Sequence, residues 1–323
     1  MKIKVLKFGG TSVGSIEAIK RSADIIHDWS KKSKVIAVLS AMSGETDRLI
    51  NLTKSFSKNP NPIDFDNAIS SGENVSCALM SICLNNQKIK AKSLLSWQIP
   101  IITSSEHMKS RILSINKKFL YDELKNFEVL LIPGFQGINN KGELTTLGRG
   151  GSDTSAVAVA AAMETECIIY TDVEGVFTTD PNIVPKAKKI NKISYEEMLE
   201  LASQGAKVLQ TRSVELAMRK NTKLSVRSSF KPKKIGTMIT DEKSVLENNT
   251  VSGITYSKDE AKITLSRVQD KPGVSSKIFG PLAKGYINVD MILQNISQDG
   301  KFANLSFTLP RLDLEKALKI LMS

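Results

Sequence analysis

The positions of the apolar residues predict that strands and helices alternate along most of the chain. Residues 2–8 alternate polar and apolar side chains as a strand does, and residues 15–31 carry apolar side chains at helical spacing. Further apolar runs with the length of buried strands lie at 35–39, 91–95, 129–132, 167–170 and 223–227. Helical patterns lie at 74–84, 154–163, 194–203 and 208–219, and Ser194 with Glu197 has the spacing of a capping box. This alternation predicts an α/β fold, a three-layer αβα sandwich with a mainly parallel sheet.

The pattern changes in the last quarter of the chain. Residues 231–249 are polar, contain a proline and a glycine, and are predicted to be a linker. Beyond them, strand, helix, strand, strand and helix patterns follow at 261–267, 274–283, 286–294, 302–309 and 313–321, with turns at 269–273 and at Asp299-Gly300. This order is one strand short of a ferredoxin-like α+β unit, and residues 251–256 are a candidate for the missing strand. We predict a larger domain over 1–230, a linker over 231–249 and a smaller, incomplete domain over 250–323.

Length and composition are typical of a soluble globular protein with two domains. The chain has 323 residues, of which 41% are hydrophobic and 24% charged. Its longest apolar stretch, residues 156–163, is too short to span a membrane, and no signal peptide precedes the first strand. Three cysteines without a Cys-x-x-Cys pair and two distant histidines predict neither a disulfide framework nor a metal site. We expect a reduced, cytoplasmic protein without a membrane partner.

The net charge of +12 raises the question of nucleic-acid binding. The lysines are scattered, the chain has no basic tail, and no nucleic-acid-binding motif is recognisable. A composition rich in lysine, asparagine and isoleucine explains the charge as well as a nucleic-acid partner would. We expect no nucleic-acid partner, although a positive field favours anionic substrates.

The segment 145–156 carries the most chemical information. It places glycines, a guanidinium, hydroxyls and a carboxylate in a turn that runs into a predicted helix. Amides at a helix N-terminus attract anions, and Arg149 offers a planar fork suited to a carboxylate or a phosphate. Asp153 would repel an anion, so its place here is explained if it orients nearby cations. A plain helix cap is the alternative interpretation.

A second glycine turn follows the first predicted strand, with Lys7 at the carboxyl end of that strand. Open α/β sheets bind ligands at this end of their strands. The chain contains neither a Walker P-loop motif nor the G-x-G-x-x-G motif of a dinucleotide site. Alone, Lys7 would be interpreted as a solvated lysine, but paired with the segment 145–156 it indicates a ligand site.

Short motifs of glycine, hydroxyl and charged residues extend through most of the chain. They are Lys7-Phe8-Gly9-Gly10-Thr11-Ser12-Val13, Ser40-Ala41-Met42 with Thr46-Asp47, Ser71-Gly72-Glu73, Pro133-Gly134-Phe135-Gln136-Gly137, the segment 145–156, Tyr170-Thr171-Asp172-Val173-Glu174-Gly175-Val176, Thr179-Asp180-Pro181, Gly205-Ala206-Lys207-Val208 and Val226-Arg227-Ser228-Ser229. In this order they resemble the bacterial monofunctional aspartate kinases of the amino acid kinase superfamily. The resemblance implies ATP-dependent phosphorylation of the side-chain carboxylate of L-aspartate, the first step toward lysine, threonine and methionine.

The same resemblance implies a set of catalytic and substrate-binding residues. Phosphoryl transfer needs mainly positioning and charge neutralisation. Lys7 and Lys207 are implied to be the cations at the transferring phosphate, with Asp153 orienting both and the Gly9-Gly10 amides assisting. The implied contacts to aspartate are Arg149 with the α-carboxylate, Glu73 with the ammonium, and Ser40 and Thr46 near the acceptor carboxylate. A zwitterionic substrate needs such an Arg and Glu pair, whereas UMP or carbamate does not; a helix-capping acid is the alternative for Glu73.

The resemblance also implies a nucleotide site. Its positions are Lys7, Phe8, Gly9, Gly10, Ser12, Gly151, Ser152, Thr171, Asp172, Phe177, Asp180, Pro181 and Lys207. Mg²⁺ is expected to enter with ATP, because no cluster in the sequence looks like a dedicated cage. Asn182 departs from the arginine that is usual in the family, and we expect weaker ATP binding rather than lost chemistry.

The C-terminal unit resembles an ACT domain, an amino-acid-sensing module. Asp270, Gly273, Ser275 and Gln294 match its effector-binding positions, and lysine or threonine would be the expected inhibitors. Relatives usually carry a second ACT unit, which has no counterpart in this sequence. An unpaired sheet edge predicts a homodimer or a higher homo-oligomer.

Two other interpretations stay open at this point. A kinase for glutamate or acetylglutamate is disfavoured by the Ser71-Gly72-Glu73 motif and the ACT-like unit. A catalytically inactive amino-acid-sensing partner, or an incomplete fragment of such an enzyme, is disfavoured by the combination of Lys7, Asp153, Arg149 and Lys207.

Overall fold

The computed structural model describes residues 2–98, 101–206, 208–241, 253–256, 259–269, 271–285, 287–296 and 302–322. It divides the chain into two compact units, Met1–Thr255 and Tyr256–Ser323. The predicted site residues Lys207 and Asp270 lie outside the described residues, as do the predicted turn at Asp299-Gly300 and residues 242–249 of the predicted linker.

The first unit is built on a large, mainly parallel sheet. Its strands in chain order are β1 (Ile3–Phe8), β2 (Lys34–Leu39), β3 (Ala91–Ser93), β4 (Ile101–Thr103), β5 (Ile112–Ile115), β6 (Val129–Pro133), β7 (Gln136–Ile138), β8 (Leu144–Thr146), β9 (Cys167–Thr171), β10 (Lys192–Ser194), β11 (Leu224–Ser228) and β12 (Thr237–Thr240). Among the described residues, eight of them form one sheet in the order β10-β12-β11-β9-β1-β2-β6-β3, and only the β11–β12 pair is antiparallel. This arrangement confirms the predicted fold class.

Helices cover both faces of this sheet because the strands are apolar on both faces. The helices are α1 (Ile16–Ser30), α2 (Glu45–Phe56), α3 (Pro62–Ile69), α4 (Ser71–Asn86), α5 (Lys117–Asn126), α6 (Gly151–Ala162), α7 (Tyr195–Ser203) and α8 (Thr211–Arg219). One core cluster joins α1 and α4 to the sheet through Ile26 and Met80, and the other joins α6 and α8 to it through Val159 and Val214. Ser194 caps α7 in the predicted box, since its Oγ accepts from Glu197 N at 3.1 Å.

Two features of this unit differ from the sequence prediction. The polar segment 231–249 contains β12, which inserts between β10 and β11, so this part of the predicted linker belongs to the sheet. Thr237 Oγ1 donates to Ile190 O at 2.5 Å and Ile239 is buried, so a strand can form despite the polar surroundings. A second, small sheet in the order β5-β4-β7-β8 was not predicted, because strands of three or four residues leave almost no periodic pattern.

The second unit has the predicted order of strands and helices. It contains β13 (Glu260–Gln269), α9 (Val274–Lys284), β14 (Ile292–Ile296), β15 (Phe302–Pro310) and α10 (Leu314–Met322). The sheet is antiparallel in the order β13-β15-β14, and Leu282, Phe307 and Ala317 lie in its core. The strand predicted at 286–294 begins only at Ile292. Residues 253–256, the described part of the candidate extra strand, form no strand. Ile254 belongs to the first unit, where its N–H donates to Thr178 O at 2.7 Å.

No helix in the described ranges is both long enough and apolar enough to span a lipid bilayer.

Candidate active site

A cavity of about 770 Å³ lies at the carboxyl ends of β1, β2 and β9. These strands are neighbours in the sheet, so the residues that follow them meet at one edge, where α/β folds bind ligands. The volume is within the usual range for small-molecule sites. Its wall contains twelve of the predicted site residues: Lys7, Gly9, Gly10, Ser40, Thr46, Glu73, Arg149, Gly151, Ser152, Asp153, Thr171 and Asp172.

Lys7 and Asp153 form a nearly buried ion pair in this cavity. Lys7 Nζ lies 2.7 Å from Asp153 Oδ1, and the two side chains are 11% and 10% exposed. Lys7 shares the strand face of Val5, whose core cluster includes α6, and Asp153 is in the first turn of that helix. The strand and the helix therefore hold an amino group and a carboxylate together, in an environment where charges interact more strongly than in water.

Glycines shape the turn between β8 and α6. Gly150 is the N-cap of α6 and has a left-handed conformation with φ of +72°, which favours glycine. A Cβ atom there would also overlap the side chain of Gln210, which lies in the same cavity wall. The Gly151 amide donates to Gly148 O at 3.0 Å, but the next amides of α6 also border the cavity, and a helix N-terminus suits an anion.

The glycine turn after β1 differs in one respect from the prediction. The Gly9 amide donates to Tyr170 O at 3.3 Å, so it is not free to bind a phosphate as predicted. Gly9 instead provides space, since a Cβ atom there would lie 3.3 Å from Lys7 Nζ. Among the described residues, the Gly10 amide has no hydrogen-bond acceptor, and it remains available to an anion.

Glu73 is a buried carboxyl group without a charged partner in the described part of the chain. Its side chain belongs to α4, is 3% exposed and lines the cavity, and its Oε2 finds no hydrogen-bond partner among the described residues. Burial raises the pKa of Glu73 to about 8, although the backbone amides of Ala41 and Glu73 partly oppose this shift. Gly72 allows the close approach, because a Cβ atom there would lie 2.8 Å from Ala41 Cβ. The carboxyl group is placed to receive a cation from the cavity.

Arg149 provides a positive charge in the same cavity. Its side chain is exposed, and within the described ranges it takes part in no hydrogen bond or ion pair, so its donors are free. Ser40 follows β2 directly and Thr46 lies in the first turn of α2, so both bring hydroxyl groups to this wall. A guanidinium, a buried carboxyl group and hydroxyls in one cavity can bind a zwitterion.

Five predicted nucleotide-binding residues do not line the cavity: Phe8, Ser12, Phe177, Asp180 and Pro181. The Phe8 ring is fully buried and stacks on Tyr170 with centroids 5.1 Å apart. Ser12 is also fully buried, and its Oγ donates to Ser229 Oγ at 2.9 Å. These two side chains are therefore packed beneath the glycine turn, and their assignment to the nucleotide site stays a prediction.

Several cavity residues were not predicted from the sequence: Phe65, Met108, Phe135, Thr146, Val208 and Gln210. Thr146 stands inside the segment 145–156, but nothing in the sequence separates it from its neighbours. Phe65, Met108 and Gln210 come from α3, from the loop between β4 and β5 and from the N-cap of α8, and no motif marks them. Phe135 and Val208 stand in motifs of the sequence, but no role was assigned to them.

The predicted effector residues that the structure describes lie in the second unit. Gly273 is the N-cap of α9 with φ of +89°, Ser275 lies in the first turn of that helix, and Gln294 lies in β14. In the sheet, β15 separates β14 from β13, the strand that precedes α9.

Comparison with known proteins agrees with this geometry. The amino acid kinase family matches residues 2–228, and the ACT domain matches residues 266–323. The aspartate kinase of Pseudomonas putida strain KT2440 is 48% identical over 324 residues, which cover 99% of this chain and 78% of that relative. The structure of Escherichia coli aspartokinase III in complex with aspartate and ADP has a TM-score of 0.77 at 26% identity, covering 96% of this chain and 79% of that chain. The same enzyme in complex with lysine and aspartate has a TM-score of 0.75 at 26% identity, over 95% and 79% of the two chains.

The family match covers most of the chain, and the similarity to the relative from Pseudomonas covers 99% of this chain. The chain therefore belongs to the amino acid kinase family, and within it to the aspartate kinases.

Proposed function

We propose that this aspartate kinase transfers the γ-phosphoryl group of ATP to the side-chain carboxylate of L-aspartate and forms 4-phospho-L-aspartate. The observation that carries the proposal is one cavity that holds both the Lys7–Asp153 ion pair and the Arg149 guanidinium with the Glu73 carboxyl group. The first pair suits a phosphate, and the second suits an amino acid. The complex of the E. coli relative with aspartate and ADP supports the same assignment.

On the amino acid side, Arg149 binds the α-carboxylate and Glu73 binds the ammonium group of aspartate. Both assignments follow from charge: Arg149 has free donors, and Glu73 has an open acceptor in the wall. Ser40 and Thr46 lie near the acceptor carboxylate and hold it by hydrogen bonds. The substrate thus presents its side-chain carboxylate toward Lys7.

At the phosphate, an oxygen of the aspartate carboxylate attacks the γ-phosphorus, the bond to the β,γ-bridging oxygen breaks, and ADP leaves. Lys7, with Lys207 as the second cation, balances the charge that spreads over the transferring group. Asp153 holds Lys7 in place, while the Gly10 amide and the Ser152 amide at the start of α6 supply neutral donors. No proton has to be removed from the acceptor, because a carboxylate is already ionised at neutral pH.

On the nucleotide side, Thr171 and Asp172 line the cavity at the end of β9. In this proposal the loop through Phe177, Asp180 and Pro181, which lies outside the cavity wall, completes the site for adenosine and the outer phosphates. Mg²⁺ enters with the nucleotide and, when bound, neutralises phosphate charge. Mg²⁺ prefers phosphate oxygens with one or two carboxylates, and the carboxylate of Asp172 in the cavity wall would hold such an ion on the nucleotide side.

The reaction opens the pathway to lysine, threonine and methionine, and an end product regulates it through the ACT domain. Asp270, Gly273, Ser275 and Gln294 form the effector site in this proposal. The E. coli relative in complex with lysine supports an amino acid effector, with lysine or threonine as the candidates here.

The test incubates the purified chain with ATP, Mg²⁺, hydroxylamine and either L-aspartate or L-glutamate. An acyl phosphate reacts with hydroxylamine, so we expect the hydroxamate with aspartate alone. Product with glutamate instead would reassign the acceptor. A folded chain that binds ADP but gives no product would favour an amino-acid-sensing role without catalysis.

A further inference from the structure

Asp66 is a fully buried carboxylate that does not line the cavity but contacts two segments that do. It belongs to α3 and is 0% exposed. Its Oδ1 accepts from Thr146 Oγ1 at 2.6 Å, and its Oδ2 accepts from Thr146 N at 3.1 Å. Met108 N lies 3.2 Å from Oδ1 and 3.0 Å from Oδ2, and His107 Nδ1 lies 2.8 Å from Oδ2. Both oxygens are thus fully used by donors from two other parts of the chain.

The two segments held by Asp66 meet at the turn that carries Arg149. Thr146 ends β8, three residues before Arg149, and Met108 lies in the loop between β4 and β5. A Cβ atom at Gly148 would lie 3.0 Å from Met108 O, so the loop packs directly against the turn. Met108 itself has a φ of +67°, an unusual conformation that its amide hydrogen bonds to Asp66 help to hold.

Arg149 depends on this backbone for its position. Its side chain has no partner of its own in the described ranges, whereas the residues before it are fastened at several points. Besides Asp66, Ser110 N donates to Thr146 O at 2.9 Å, and Arg212 Nη1 donates to Leu147 O at 2.8 Å. The backbone between β8 and α6 therefore sets the place from which the Arg149 side chain reaches into the cavity, and Asp66 is the one fully buried carboxylate among the described residues that holds this backbone.

We infer that Asp66 is a positioning residue for aspartate binding: by clamping Thr146 and the Met108 loop, it sets the place of the turn that presents Arg149 to the substrate. This inference rests on the proposed function, in which Arg149 binds the α-carboxylate of aspartate. Asp66 contacts Thr146 and Met108 but none of the described residues assigned to the nucleotide, which lie on or after β1 and β9 and at the start of α6, so its effect falls mainly on the amino acid side.

The test is Asp66→Asn, with Asp64→Asn as the matched control. Asparagine has one acceptor oxygen, and its amide would face the donors of Met108 and Thr146, so the clamp opens. Asp64 lies on the same helix but is exposed, so the same chemical change there leaves the clamp intact. We expect the KM for aspartate to rise about tenfold or more in Asp66→Asn, with the KM for ATP within about twofold of the parent.

A second variant covers the case in which Asp66→Asn fails to fold. Thr146→Val keeps the shape of the side chain but removes the hydroxyl donor to Asp66, and we expect the same selective rise in the KM for aspartate. The double variant should be no worse than the more affected single variant, because both act through one contact. A rise in both KM values, or an unchanged KM for aspartate in folded variants, would overturn the positioning role.

The parent chain is assayed first, so that the two failures can be told apart. A parent that makes no aspartyl hydroxamate refutes the proposed function, and the inference falls with it. A parent that turns over aspartate, beside folded variants with an unchanged KM, refutes only the role of Asp66.

Discussion

Replacing Glu73 by glutamine should stabilise the free protein while it weakens aspartate binding. Burial raises the pKa of this carboxyl to about 8 from a usual 4.5, so the native state keeps a proton that the unfolded chain releases. Because its pKa is raised in the native state, the Glu73 carboxyl contributes most to the stability of the folded protein below pH 4.5. This contribution is lost as the pH rises to about 8. The loss amounts to about 1.4 kcal/mol per pH unit, or about 4 kcal/mol between pH 4.5 and pH 7.5.

Glutamine has nearly the same shape and cannot ionise, so Glu73→Gln removes this dependence on pH. Urea unfolding of parent and variant at several pH values between 5 and 8 measures the difference in free energy of unfolding. We expect the variant to gain on the parent by about 1.4 kcal/mol for each unit of rising pH. The slope is the diagnostic quantity, because any constant effect of the amide on packing cancels from it.

The protonation of Glu73 should also change the KM for aspartate with pH. Aspartate brings an ammonium group that needs the ionised form of Glu73, and only about a tenth of the groups are ionised one unit below the pKa. The KM for aspartate should therefore fall about tenfold from pH 6.5 to pH 7.5 in the parent, and should be high and nearly independent of pH in Glu73→Gln. Glu45→Gln, beside the cavity on α2, is the control, since Arg48 lowers the pKa of Glu45. If the free energy of unfolding and the KM for aspartate changed with pH by the same amount in the parent and in Glu73→Gln, the reasoning would be refuted.

Three further outcomes follow from the same structure. Asp153→Asn removes the partner of Lys7, so kcat in the hydroxamate assay should fall about a hundredfold while the KM for aspartate changes little; a loss of only a few-fold would contradict the role of this ion pair. Asn182→Arg restores the residue usual in the family in the turn that Asp180 caps, so the KM for ATP should fall with the KM for aspartate unchanged. Leu293→Lys puts a charge on β14, where Leu293 is 50% exposed at a sheet edge, and should reduce self-association in sedimentation velocity; an unchanged oligomer would place the contact elsewhere.

The elements that the sequence predicted well are those whose burial leaves a long pattern. β1 and α1 extend over enough residues for period and flanking glycines to define them, as do β13 and α9 in the second unit. The sequence pattern does not predict β12, because its four residues stand among lysines and its partner strands β10 and β11 are not adjacent to it in sequence. Short strands depend on tertiary pairing that no local pattern records.

The site residues likewise divide into those that the sequence predicted and those that it could not. Lys7, Glu73, Arg149 and Asp153 were predicted from motifs, and the structure brings all four to one cavity. Phe8 was included with them although strand alternation alone would place it on the face opposite Lys7. Asp66 left no signal, because its partners lie 41, 42 and 80 residues away along the chain.

Three buried carboxyl groups near this cavity separate structural, phosphate-binding and amino-acid-binding roles by their partners. Asp66 receives donors on both oxygens, so its burial is fully compensated and it can serve to fix the backbone. Asp153 is paired with a lysine, so that pair is assembled before a nucleotide arrives. Of the three, only Glu73 has an oxygen, Oε2, that meets neither a positively charged group nor a hydrogen-bond donor in the described part of the chain. Burying an unpaired charge is expensive, so this carboxyl stays protonated until a cation enters. The phosphate side of the site is therefore preorganised, whereas the amino acid side is completed by the substrate itself.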